Sequence, residues 1–142
     1  MCALKLRSSI EIKANIMVDI EIDETLNAFE QRLRNGLEFY LIVNTDRKYW
    51  EQNNKFRYRN AREVNNVIEE AFETMYTKYP ELDKFLDDSL VLLQSCTWVG
   101  MNVPWTINPD HHIERVVDNV IEVYITEVYA TLRTSLITSA LQ

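Results

Sequence analysis

Four consecutive aliphatic residues, Leu90, Val91, Leu92 and Leu93, constrain this chain more than any other stretch. They lie within PELDKFLDDSLVLLQSCTWV, residues Pro80 to Val99. A helix turns by about 100° per residue, so four apolar residues in a row leave it no polar face. Such a helix is expected to be enclosed by other elements. Pro80 suits a first helical turn, where no backbone N–H is missed. Gly100, with Pro104 just beyond it, marks the expected end. The rest of the chain must supply what packs round this segment.

The length of 142 residues suffices for one domain with one core. Only two Gly and three Pro occur, which argues against a turn-rich sandwich or barrel and for long helices. The net charge of −7 disfavours nucleic acid or an anionic membrane as partner. Two cysteines form no disulfide framework, and Cys96, inside the apolar run, reads as a reduced core thiol. No cationic, apolar leader opens the chain, and no span of ~18 apolar residues occurs. A single domain over 1–142, cytosolic and without a membrane tail, is the expectation.

Taken in order, residues 2–22 place apolar side chains at Cys2, Leu4, Leu6, Ile10, Ile12, Ala14, Ile16, Val18, Ile20 and Ile22. That period of two, rich in β-branched residues, predicts a half-buried strand. Its length, unbroken by Gly or Pro, argues the other way. Asp23 reads as an N-cap, with Glu24 in the first turn. Leu26, Phe29, Leu33, Leu37, Tyr40 and Leu41 then form an amphipathic helical stripe. Gly36 either stops this helix or lets another backbone approach it closely. Residues 44–59 read as a short irregular helix and loop, whose mixed basic and aromatic residues hint weakly at base stacking. Asn60 is positioned to cap the next helix, with its stripe at Val64, Val67, Ile68, Ala71, Phe72, Met75 and Tyr79. Glu63, Glu69, Glu70 and Glu73 fall off the stripe, as a solvated face would. A loop rich in Trp98, Met101 and Trp105 follows the central run, and Asn108-Pro109 is a helix-start signature. The last helix carries Ile113, Val116, Val117, Val120, Ile121, Tyr124, Val128, Leu132 and Leu136 on one face.

Catalytic constellations are weak. His111 and His112 are adjacent, so they diverge at a helix start, and no second cluster accompanies them for a metal. Glu114, Asp118 and Glu122 stack at i, i+4 but lack a histidine partner, which leaves a small hydrolase or nuclease as a minor reading. No phosphate loop, dinucleotide turn or nucleophile elbow is present. Neither cofactor nor metal is called for. A small helical protein of this kind is expected to act by binding, and helix-in-groove recognition is the usual mode.

Three segments carry a resemblance. VVDNVIEVYITEVYATL, Val116 to Leu132, resembles the sixth helix of the Bcl-2 apoptosis-regulator family, with its Val-Asp-Asn-apolar run followed by Thr-Glu. VIEEAF, Val67 to Phe72, is similar to the helix that opens the family's first homology region. LRNGLEF, Leu33 to Phe39, is similar to its third homology helix, one residue shorter and with Leu37 in place of an acid. The short chain without a membrane tail looks more like a viral member, of iridoviral type, than a cellular one.

The resemblance implies an all-α, Bcl-2-like bundle in which Pro80–Val99 is one arm of an apolar central hairpin, and it recasts residues 4–22 as the first helix. It implies inhibition of apoptosis, by burying the amphipathic homology helix of pro-apoptotic Bcl-2 proteins in a groove. The groove residues it implies are Phe39, Tyr40 and Val43 on a second helix, Tyr49 and Trp50 on a third, and Val67, Ala71, Thr74 and Met75 on a fourth, with Glu70 and Lys78 as polar contacts at the rim. The family's Asn-Trp-Gly-Arg signature is replaced by Thr77-Lys78-Tyr79-Pro80, so Lys78 stands in as a point charge for the ligand-pairing arginine. An exposed apolar groove also implies a homodimer that covers it. The alternative is a viral α+β adaptor of unrelated fold, with residues 2–22 as a strand.

Overall fold

The computed structural model describes residues 2–55, 57–103 and 108–141. All regular structure among them is helical. Helix α1 runs Cys2–Asn44, α2 Arg47–Asn53, α3 Val64–Lys78, α4 Asp83–Asn102, α5 Pro109–Val123 and α6 Ala130–Leu141. Short 3₁₀ turns at Ala61–Glu63 and Pro80–Leu82 lead into α3 and α4, and a π-helical turn at Tyr124–Tyr129 joins α5 to α6.

Four long columns pack as an antiparallel bundle. Val67 of α3 meets Gly36, while Lys78 at the other end reaches Thr25 and Glu21, so α3 runs opposite to α1. Gln94 meets Asn65 and Tyr76 donates to Asp87, so α4 runs opposite to α3. Gly100 lies against Val116, and Ser139 donates to Glu81, so the α5–α6 column runs opposite to α4. Arg34 pairs with Asp118 at 3.1 Å, and Arg133 with Asp23 at 2.8 Å, which closes the ring by setting that column against α1.

The expectation of a strand at residues 2–22 is overturned, and with it the α+β alternative: α1 is one helix from Cys2 to Asn44. At 43 residues it is about 65 Å long. Of its apolar residues, Ile16, Met17 and Ile20 point to solvent, between 52% and 72% exposed, whereas Ile22 is buried. Asp23 is therefore not an N-cap. It sits mid-helix, where the Arg133 guanidinium holds its carboxyl below the usual range. Gly36 does not end the helix either. It gives α3 its close approach: a Cβ there would lie 2.9 Å from Val67 Cγ1.

The core is built from α1 (Ile22, Leu26, Phe29, Leu33, Leu37, Leu41), α3 (Val64, Ile68, Phe72, Met75), and the valines, Tyr124 and leucines of the last column. Phe29 joins them, edge-on to Phe72 at 4.8 Å and tilted against Tyr124 at 5.3 Å. Tyr124 Oη, although buried, has no hydrogen-bond partner among the described residues.

Helix α4 departs from its expected role. It contacts α3 and α5 but is not enclosed. Leu86, Ser89, Leu93, Thr97, Gly100 and Met101 face inward. Val91, Leu92, Trp98 and Val99 face outward, 59%, 39%, 42% and 62% exposed. The helix also passes Gly100 and ends at Asn102, so Trp98 and Met101 are helical rather than part of a loop. Pro104 and Trp105 lie outside the described residues. The cap at Asn108 is as expected, with Pro109 in the first turn. The Asn108 side chain accepts from the N–H groups of Asp110 at 2.9 Å and His111 at 3.2 Å. Asn60 does not cap α3 with its side chain. It is left-handed, and its carbonyl accepts from the Tyr40 hydroxyl.

Candidate functional site

The seam between α1 and α3 opens into a groove. Thr25, Ala28, Phe29 and Arg32 line it from α1, and Ala71, Thr74, Met75 and Lys78 from α3. Both sets follow i, i+3, i+4, i+7, the spacing of one helix face. Phe29, Ala71 and Met75 make an apolar floor at 4%, 2% and 1% exposure. The groove exists because Ala28 and Ala71 are small where two helices would otherwise interdigitate.

Two cations stand at its rim, each held. Arg32 Nη1 donates to the Thr74 hydroxyl across the groove. Lys78 Nζ donates to the Thr25 hydroxyl at 3.2 Å and pairs with Glu21 at 3.6 Å. The space is about 160 Å³. Small-molecule sites are larger, from roughly 300 Å³ upward. The space has room for an inserted apolar side chain, with two cations at its rim.

Of the predicted site residues, the structure brings together Ala71, Thr74, Met75 and Lys78. The others lie elsewhere. Tyr40 is buried and tied to Asn60. Phe39 and Val43 stand 71% and 52% exposed beyond the groove. Val67 is half-buried against Gly36, and Glu70 is exposed. Tyr49 and Trp50 belong to α2, whose N-cap is Asp46; the Arg57 guanidinium lies 4.0 Å above the Tyr49 ring. Thr25, Ala28, Phe29 and Arg32 are not among the expected residues. Their heptad spacing in the sequence carries the signal, but the resemblance points to Leu33–Phe39 instead.

Elsewhere the chemistry is quiet. Burial pushes the Cys96 thiol up to about 11, so it is a poor nucleophile. Asp118 pairs with Arg34, and the cleft it shares with Glu38, Glu114 and Val117 holds only about 40 Å³. His112 is buried. Its Nε2 donates to the Val103 carbonyl at 2.9 Å, which leaves Nδ1 to accept from the Tyr58 hydroxyl at 2.5 Å. Burial holds its pKa below the usual histidine value. Among the described residues no group of three or more side chains is placed to hold a metal ion, and no helix is long and apolar enough to cross a membrane.

No family model, no curated protein and no solved structure matches the chain.

Proposed function

We propose that the protein acts without catalysis, by seating an amphipathic helix on the α1–α3 groove, and that its ligands are the homology helices of pro-apoptotic Bcl-2 proteins, whose sequestration blocks apoptosis. One observation carries the capture of a helix. Four residues expected on one helix face line a single groove with an apolar floor and cations at its rim. A ligand helix offers apolar anchors at i, i+3 or i+4, and its acidic residue would exchange with Thr74 or Glu21 for Arg32 or Lys78. The choice of pro-apoptotic ligands rests on the three resembling segments. It does not rest on architecture: α4 lies at a corner of this bundle, whereas the family's corresponding helix is central.

Titration with a panel of pro-apoptotic helix peptides tests the reading. At least one is expected to bind tighter than about 10 µM, or about 7 kcal/mol. Thr74→Trp, at an exposed rim position, should abolish binding with helical circular dichroism unchanged. If no peptide binds, the ligand assignment is wrong. If peptides bind and Thr74→Trp is silent, the groove is wrong.

A further inference from the structure

The second surface that the fold leaves unfinished is the outer side of α4. This helix buries Leu86, Leu93 and Met101, but it also turns three small or polar residues inward while four large apolar ones face outward. Ser89, Thr97 and Gly100 are buried, and the two hydroxyls turn back onto their own helix, bonding Phe85 O at 3.0 Å and Leu93 O at 2.7 Å. Val91, Leu92, Trp98 and Val99 are exposed. The outer residues form two pairs seven positions apart, centred on the small Ser95, so they share one face. Between this face and α3 lies a cleft of about 400 Å³, lined by Arg62, Asn65, Val91, Gln94, Ser95 and Trp98.

The flank beside it, formed by α3 and the 3₁₀ turn that leads into it, carries charges with the same spacing and the same centre. Arg62 borders the cleft at the level of Trp98. Glu69 lies two turns further along α3. Gln94 Nε2 sits between these levels, donating to Asn65 O at 3.3 Å and reaching Glu69 Oε1 at 3.5 Å. A two-fold axis through Ser95, perpendicular to α4, therefore lays Trp98 and Val99 of one copy on Val91 and Leu92 of the other. The same rotation sets Arg62 opposite Glu69 of the second copy, twice. Apolar pairs and opposite charges that share one centre are self-complementary, which is the requirement of an isologous interface.

We propose that the outer face of α4 is the interface of an antiparallel homodimer of this chain, with two Arg62–Glu69 pairs along its α3 side and the Trp98 indole seated in the neighbouring cleft. None of the groove residues takes part. The face is a single helix with one flank, small beside standard interfaces, so the dimer is expected to dissociate in the micromolar range. Sedimentation velocity on the full chain from ~5 to ~500 µM should show a monomer–dimer equilibrium. Arg62→Glu and Glu69→Arg should each weaken it roughly tenfold, because each substitution acts twice. Together they should restore it, and Leu92→Asp should abolish it, with helical circular dichroism unchanged throughout. A wild-type chain that stays monomeric over this range overturns the proposal, even if the face then proves to bind vesicles or another protein. A dimer that ignores both single swaps, or that the double swap fails to restore, overturns it equally.

Discussion

The middle of α1, from Ile22 to Leu37, and helix α4 use apolar residues in opposite ways. There every large apolar side chain of α1 points inward: Ile22, Leu26, Phe29, Leu33 and Leu37 are at most 4% exposed. Along α4, Leu86 and Leu93 share the inner face with Ser89, Thr97 and Gly100, while two valines, a leucine and a tryptophan face out. Over this stretch of α1 the bundle accounts for every large apolar residue. In α4 burial within the chain accounts for only part of the apolar residues. A periodic stripe thus reports what a helix packs against inside its own fold. A run without period reports more than one neighbour and does not say which are internal.

The sharpest way to break this comparison lies within the Leu90–Leu93 run itself. Leu93 is fully buried. Leu93→Ala should cost about 2–5 kcal/mol by opening a cavity beneath it. Leu92→Ala, its immediate neighbour, should stay within about 0.5 kcal/mol in dilute solution. Equal losses in denaturant unfolding would mean that α4 is enclosed after all.

Tyr124, on the column beside α1, gives the next effect and the opposite sign. Its buried hydroxyl lacks a partner among the described residues. Removing an unpaired buried hydroxyl by Tyr124→Phe should raise stability by roughly 1 kcal/mol or a little more. A loss in denaturant unfolding would show that the hydroxyl is satisfied. The α1–α3 seam gives a smaller loss. Gly36→Ala adds a Cβ 2.9 Å from a stiff valine methyl. Overpacking outweighs the helix propensity gained, leaving a deficit of about 1 kcal/mol. Val67→Ala should cancel it in the double variant; additivity would place the strain elsewhere.

The smallest effect concerns the junction where α4 hands over to α5. The pKa of His112 is lowered by folding, so below its ordinary value of 6.5 the unfolded chain takes up the proton first. Stability contributed by the neutral ring is complete above about 6.5 and declines as pH falls below it. Thermal unfolding followed from pH 7.5 to 5 should show this decline, and His112→Gln should flatten it.

How much of this was legible in the sequence follows from the same contrast. The inner stripes of α1, α3 and the last column have a helical period, so their burial could be read directly. The run at Leu90–Leu93 carries no phase, and only the positions of α3 and α5 decide that Leu93 is inside and Val91 outside. The groove was half legible. Ala71, Thr74, Met75 and Lys78 share a face by spacing alone. Their partners on α1 depend on the register between two helices with similar repeats, and a slide of two heptads separates the expected Phe39–Val43 from the observed Thr25–Arg32. Near Ile16, Met17 and Ile20, apolar residues that face solvent blur the period by which helices are recognised.

The π-helical turn at Tyr124–Tyr129 has a consequence for insertions and deletions. From it onward the buried residues Tyr124, Val128, Leu132 and Leu136 recur every fourth position. A wider turn admits one residue more than an α-turn holds, and this extra residue keeps the later leucines over the core. Deleting one residue from the turn would yield a more regular helix by every local measure. It would also rotate α6 by about 100°. Leu132 and Leu136 would swing toward solvent, and Arg133 would leave Asp23. This chain is therefore least tolerant of a length change where its backbone looks most irregular, and the irregular turn records the length at which the last helix fits.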